Sequence, residues 1–143
     1  MATLTYLTTT HFDFGAVKKI PSELRRAGIS KPLIATDSGV VAAGLIDKVT
    51  ETLVADSPTS IFDETPGNPT EAAVLKAFDQ YSSEGCDGVL AIGGGSSMDL
   101  GKAVALLAGS GGLLAQYDPL AGGSKRVQSV APLIAVPTTS GTG

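Results

Sequence analysis

Gly88-Val89-Leu90-Ala91-Ile92-Gly93-Gly94-Gly95-Ser96-Ser97-Met98-Asp99-Leu100-Gly101-Lys102 decides the fold class. Its first five residues form a short continuous apolar run, the pattern of a strand covered on both faces. Three glycines then turn the chain, and Ala103, Val104 and Leu107 supply the buried face of a helix. Ser96-Ser97-Met98-Asp99 has the Ser-x-x-acid form of a capping box, which places the start of the helix there. A buried strand that passes through a glycine turn directly into a helix is the core of a βαβ unit.

Outward from that stretch, strand and helix signals alternate. Pro32-Leu33-Ile34-Ala35-Thr36 reads as a buried strand ending at Asp37, and Ala131-Pro132-Leu133-Ile134-Ala135-Val136 as another. Thr59 to Phe62 is a weaker strand, and Leu4 to Thr8 alternates like an edge strand. Helical stripes fall at Val17, Ile20, Leu24 and Ala27, at Leu45, Ile46, Val49 and Leu53, and at Ala72, Leu75 and Phe78. Pro21 is expected to bend or shorten the first of these, Gly28 to stop it, and Thr70 to cap the third. The long stretch from Gly109 to Ser129 reads as a surface loop. The fold class is therefore α/β, a doubly wound, mainly parallel, Rossmann-like sheet occupying residues 1–143 as one domain.

Composition excludes several functions. With 10 basic against 14 acidic residues and no long basic cluster, the chain lacks the electrostatic footprint of a nucleic-acid or anionic-membrane binder. No apolar stretch reaches the roughly 18 residues of a membrane span. The N-terminus lacks the basic and apolar regions of a secretory signal, so a cytoplasmic location is expected. One cysteine, Cys86, precludes an internal disulfide, and one histidine, His11, precludes a multi-histidine metal site within these residues.

In a parallel sheet the loops after Thr36, Phe62, Ile92 and Val136 emerge at one edge, where open α/β sheets bind ligands. Gly93, Gly94 and Gly95 there let the backbone turn sharply and bring main-chain N–H groups and a helix N-terminus against an anion, and a phosphate is the natural guest. Met98 stands where the ordinary dinucleotide fingerprint has a third small residue, and Gly101-Lys102-Ala103 does not complete a P-loop. Asp37 suits the two hydroxyls of an adenosine ribose and would repel a 2′-phosphate, which favours NAD and leaves NADP as the alternative; it suits equally an N-cap for the helix through Leu45. Thr138, Thr139 and Thr142 put hydroxyls beside glycines in the last loop. Asp99 reads either as a ligand contact or as part of the capping box. Lys102 reads as a solvated charge, Met98 as packing and Cys86 as a half-buried small residue.

Four blocks, in order, resemble the N-terminal nucleotide-binding domain of the iron-containing, group III alcohol dehydrogenases. They are Leu33-Ile34-Ala35-Thr36-Asp37, Pro66-Gly67-Asn68-Pro69-Thr70, Gly93 to Lys102, and Ala135 to Gly143. The resemblance implies that Asp37 faces the adenosine ribose and Asn68 borders the cofactor cleft. It also implies that Gly94, Gly95 and Ser96 hold the pyrophosphate, while Thr138, Thr139 and Thr142 line the adenine and ribose-phosphate side. Hydride would pass between a small alcohol and the nicotinamide, helped by a divalent metal, expected to be iron, held by an all-helical second domain. No such domain is present in these residues, which read as the dinucleotide-binding part, truncated at its C-terminal end and inactive alone. A homo-oligomer is expected, with Leu4 to Thr8 pairing between subunits. Two rival readings are a stand-alone nucleotide-binding or subunit-interaction module without catalysis, and a phosphosugar-binding α/β protein.

Overall fold

Four parallel strands, β1 (Pro32–Ala35), β2 (Ser60–Phe62), β3 (Gly88–Gly93) and β4 (Leu133–Pro137), lie in the order β2-β1-β3-β4. They belong to a computed structural model that describes residues 8–53 and 58–140. Among the described residues the first strand, β1, lies in the middle of the sheet; the chain then steps outward to β2 and crosses back past β1 to lay down β3 and β4. That reversal opens a crevice between the carboxyl ends of β1 and β3. Pro32 pairs with Gly88 and Ala35 with Ala91, so the two central strands start level with each other and β3 runs two residues further, to Gly93.

Side-chain alternation along these strands divides the core in two. On one face Leu33, Ala35 and Val89 meet Val74 and Ala77 of α4 (Glu71–Ser83) and Leu100 and Val104 of α5 (Gly95–Ser110). On the other, Ile34, Leu90 and Ile92 pack with Ile20 and Leu24 of α1 (Ile20–Ala27), Val40 of α2 (Ser38–Ala42), and Ile46 and Val49 of α3 (Leu45–Thr50). Helices therefore cover both faces, which is why the strands read as continuous apolar runs. α5 lies close against the sheet because residue 101 is glycine: a Cβ there would stand 2.8 Å from the Ala91 Cβ.

The strands at Pro32, Thr59, Gly88 and Ala131, the cap at Thr70 and the stop at Gly28 are where the sequence predicts them, within a residue or two. The expected edge strand at Leu4 to Thr8 lies outside the described residues apart from Thr8, which is exposed and not in a strand. Four local expectations are corrected. Pro21 shortens the α-helix as expected but does not bend it: it sits in the first turn of α1, where its missing N–H is harmless, and the residues before it, Ala16–Lys19, form a 3-10 turn. The segment after Asp37 is two short helices, broken where Gly44 takes a left-handed conformation at φ 69°. The capping box at Ser96 and Asp99 does not form, because Gly94 is the N-cap of α5 and no side chain caps it. The Gly109 to Ser129 stretch is shorter than read, since α5 runs to Ser110, and it holds 3-10 turns at Leu114–Tyr117, Pro119–Ala121 and Gly123–Arg126.

Candidate functional site

All four strand-exit loops meet at the carboxyl edge of the sheet and are stitched together there. The Thr65 N–H donates to the Thr36 carbonyl at 3.4 Å, and Asp37 forms an isolated antiparallel bridge with Glu64, joining the exits of β1 and β2. The Ser96 hydroxyl donates to the Gly67 carbonyl at 2.6 Å, tying the β3 turn to the same loop. The Thr138 N–H donates to the Gly93 carbonyl at 2.8 Å, bringing in the exit of β4. The exits of β1, β2 and β3 border a cleft of about 270 Å³, lined by Asp37 and Ser38, by Thr65 to Gly67, and by Gly94 to Ser96. Small-molecule pockets run about 300–1,000 Å³. This one lies just below that range.

One wall of the cleft is the N-terminus of α5. Its first helical hydrogen bond runs from the Met98 N–H to the Gly94 carbonyl, so the amides of Gly95, Ser96 and Ser97 have no acceptor within the helix. Sixteen residues of aligned peptide dipole add partial positive charge at that end. No heavy atom lies within 4 Å of a Cβ built on Gly95, and on Gly94 the nearest is the Thr139 side chain at 3.6 Å. Gly93, at φ +150°, has no such freedom: a Cβ would stand 2.5 Å from the Ser97 Oγ. The turn thus has one glycine that the backbone requires and two that leave open space beside bare amides, the arrangement that lets a phosphate approach a main chain.

The opposite wall is Asp37. Its Oδ1 accepts from the Val40 N–H at 3.0 Å, capping α2, while its Oδ2 accepts from the Ser97 hydroxyl at 3.1 Å. The residue is half-buried and borders the cleft, so capping and a place at the site coincide.

Of the other residues expected at the site, Asn68 is exposed, next to Gly67. Thr138 and Thr139 are exposed after β4, and Thr139 stands beside Gly94. Asp99 is 65% exposed on α5, does not border the cleft, and pairs with Lys102 at 3.2 Å. Thr142 lies outside the described residues. Cys86 is buried, more fully than its sequence position suggests.

Sequence reasoning overlooked three hydroxyls. Ser97 is fully buried against Asp37. Thr36 and Thr65 are 0% and 8% exposed, and neither Oγ1 has a hydrogen-bond partner. Thr65 borders the cleft, where a buried hydroxyl without a partner is costly unless something supplies one. The available signal was two threonines, at a strand end and before Pro66-Gly67, in positions the topology buries.

Among the described residues no group of three or more His, Cys, Asp or Glu could hold a metal ion, and His11 is bonded to Glu23 at 3.1 Å. No described helix is long and apolar enough to cross a membrane.

A sequence profile described as iron-containing alcohol dehydrogenase matches residues 8–143. The chain is 54% identical over 144 residues to the 4-hydroxybutyrate dehydrogenase of Cupriavidus necator, aligning over 100% of its own length and 37% of that protein. The NADH-dependent butanol dehydrogenase A of Thermotoga maritima superposes with a TM-score of 0.79 at 29% identity, over 90% of this chain and 32% of that one. The sulfoacetaldehyde reductase of Bifidobacterium kashiwanohense, solved with NAD+, superposes at 0.76 with 27% identity, over 90% and 33%. The chain thus spans about a third of the length of each of these relatives.

Proposed function

This chain belongs to the iron-containing alcohol dehydrogenase family, and from that premise we propose that it is the part of such an enzyme that binds a nicotinamide dinucleotide, with NAD preferred. The observation that carries the reading is the glycine turn at the β1/β3 crevice, with bare amides on one wall and the Asp37 carboxylate on the other. A dinucleotide presents a diphosphate that takes N–H donors and a ribose diol that takes an acceptor, the two chemistries these walls offer.

The residues fit the cofactor in chemistry as well as place. Gly94, Gly95 and Ser96 would hold the pyrophosphate against the α5 amides, and Asp37 would accept hydrogen bonds from the adenosine ribose. Thr138, Thr139 and Thr142 would line the adenine and ribose-phosphate side, and Asn68 the rim. Asp99 has its weakest support here, since its carboxylate is engaged by Lys102. When bound, the nicotinamide would supply the hydride acceptor for oxidation of an alcohol to its carbonyl compound. The chain's own contribution is to grip the diphosphate and orient the ribose.

The described residues do not fit the family's metal. Metal ligands and substrate contacts are accordingly assigned to a second, helical domain of the whole enzyme. A small alcohol and its carbonyl product are the proposed substrate pair, and the 54% identity to a 4-hydroxybutyrate dehydrogenase makes 4-hydroxybutyrate the first to assay. Homo-oligomerisation is part of the same reading.

Titration of the chain with NADH, followed by nicotinamide fluorescence, tests the proposal. Saturable binding that is lost in Gly94→Val supports it, since the backbone at Gly94 is extended and tolerates a side chain. Absence of saturable binding by the folded wild-type chain overturns it.

A further inference from the structure

We propose that Ser97 is a positioning residue that sets the preference of the cleft for an unphosphorylated adenosine ribose, by fixing the Asp37 carboxylate. The inference rests on the dinucleotide reading above and adds to it the source of the discrimination.

Ser97 is wholly buried, and its only side-chain partner is Asp37 Oδ2 at 3.1 Å. A carboxylate only accepts, so the serine hydroxyl must donate. The second oxygen, Oδ1, is held at 3.0 Å by the Val40 N–H. Asp37 is therefore clamped at both oxygens, by α2 on its own side of the crevice and by α5 from the far side. A carboxylate offers about four acceptor sites. The clamp uses one on each oxygen and leaves one on each, which is the pattern a vicinal diol with two O–H donors satisfies.

A 2′-phosphate brings unprotonated oxygens to the same place. A carboxylate free to rotate about its side chain could swing away from them; one gripped on both oxygens cannot, and the repulsion stays. Two glycines keep room for the clamp. A Cβ on Gly93 would come within 2.5 Å of the Ser97 Oγ and 3.2 Å of Asp37 Oδ2, and one on Gly39 within 3.1 Å of Asp37 Oδ1.

The test compares wild type, Ser97→Ala, Asp37→Asn and the double variant for NADH and NADPH affinity, with melting temperature measured alongside. Wild type should prefer NADH. Ser97→Ala should shrink that preference about tenfold, the range for a hydrogen bond to a charged group. Asp37→Asn should shrink it too, and adding Ser97→Ala to Asp37→Asn should change it no further. Should Ser97→Ala fail to fold, Ser97→Cys retains a weak donor and should give an intermediate preference. A wild-type preference kept in the folded Ser97 variant overturns the inference and leaves the dinucleotide reading standing. So does an equal loss in the Asp37→Asn background, which would mean that Ser97 acts independently of Asp37. Folded wild type that binds neither cofactor overturns both.

Discussion

The Ser96 hydroxyl reaches across the cleft and donates to the Gly67 carbonyl at 2.6 Å, so the turn after β3 holds the loop after β2. Ser96 is thereby engaged through its side chain, while its amide remains available to a ligand at the helix end. The link fastens the α5 wall of the cleft to the Pro66-Gly67 loop that borders it.

Ser96→Ala separates the two roles, because it removes the hydroxyl and keeps the amide. Losing one neutral hydrogen bond at a half-buried position costs about 0.5–1.5 kcal/mol, a fall of roughly 2–5 °C in melting temperature for a chain of this size. NADH affinity should weaken about threefold through the freed Pro66–Thr70 loop. Thermal unfolding and fluorescence titration of the same preparation check both. A loss of a hundredfold or more would mean that the hydroxyl itself contacts the ligand.

Gly95 and Gly101 offer a paired comparison, since the same change at two positions of one helix should have opposite effects. A Cβ on Gly95 meets nothing within 4 Å, and alanine is a better helix former than glycine by roughly 0.5–1 kcal/mol. Gly95→Ala should melt no lower than wild type while binding NADH at least about tenfold more weakly, because the methyl occupies the approach of the phosphate. Gly101→Ala drives a Cβ to 2.8 Å from the Ala91 Cβ and 3.3 Å from the Val89 Cγ1. It should cost about 1–3 kcal/mol by overpacking and leave the affinity of the folded chain near wild type.

How far the fold was legible follows from the range of the forces involved. Continuous apolar runs announced the strands because both faces of the sheet are covered, and Thr70 and Gly28 behave as local chemistry requires. The strand order was not legible, because nothing near Pro32 in the chain says that Gly88, some 56 residues on, will lie beside it. Ser96 and Asp99 have the spacing of a capping box, but the glycine turn brings Gly94 into the cap position first, and Gly67 and Lys102 then take the two side chains. At Asp37 the cap and the cleft residue are one and the same: one carboxylate oxygen caps α2 while the residue borders the cleft. Ser97, Thr36 and Thr65 went unread because a hydroxyl's burial depends on which elements pack over it.

Alkaline stability is set in part by Cys86. Burial pushes its thiol above the ordinary 9.0, against the pull of Lys31, and burial also raises the Tyr81 hydroxyl above 10.0, helped by Cys86 and Asp87. Above pH 9 the unfolded chain gives up these protons before the folded one does, so it binds fewer protons and stability falls as pH rises. The contribution is fully present below pH 9 and is lost as pH climbs through the raised folded values. A series of melting temperatures from pH 7 to 11 should stay level up to about pH 9 and then decline. Cys86→Ala should delay that decline towards the range of Tyr81, and an unchanged profile would show that the thiol takes no part.

Ser110 holds the neck of the long excursion between α5 and β4. Its hydroxyl accepts from the Gln128 and Ser129 N–H groups at 3.1 and 3.2 Å and donates to the Ser129 carbonyl, while the Ser129 hydroxyl donates back to the Gly109 carbonyl. A Cβ on Gly109 would collide with the Ser129 carbonyl oxygen at 2.5 Å, so the neck closes as tightly as backbone allows. Beyond it Lys125 and Arg126 are exposed on a 3-10 turn, a form too short to resist local opening by itself. Ser110→Ala removes the bonds made by its hydroxyl and frees the loop ends, so trypsin should cut after Lys125 or Arg126 about tenfold faster, the effect of roughly 1.4 kcal/mol on local opening. None of these residues borders the cleft, and NADH affinity should not change. Cleavage at the wild-type rate would place the closure in the packing of Leu114 and Tyr117 against the core instead of in the serine.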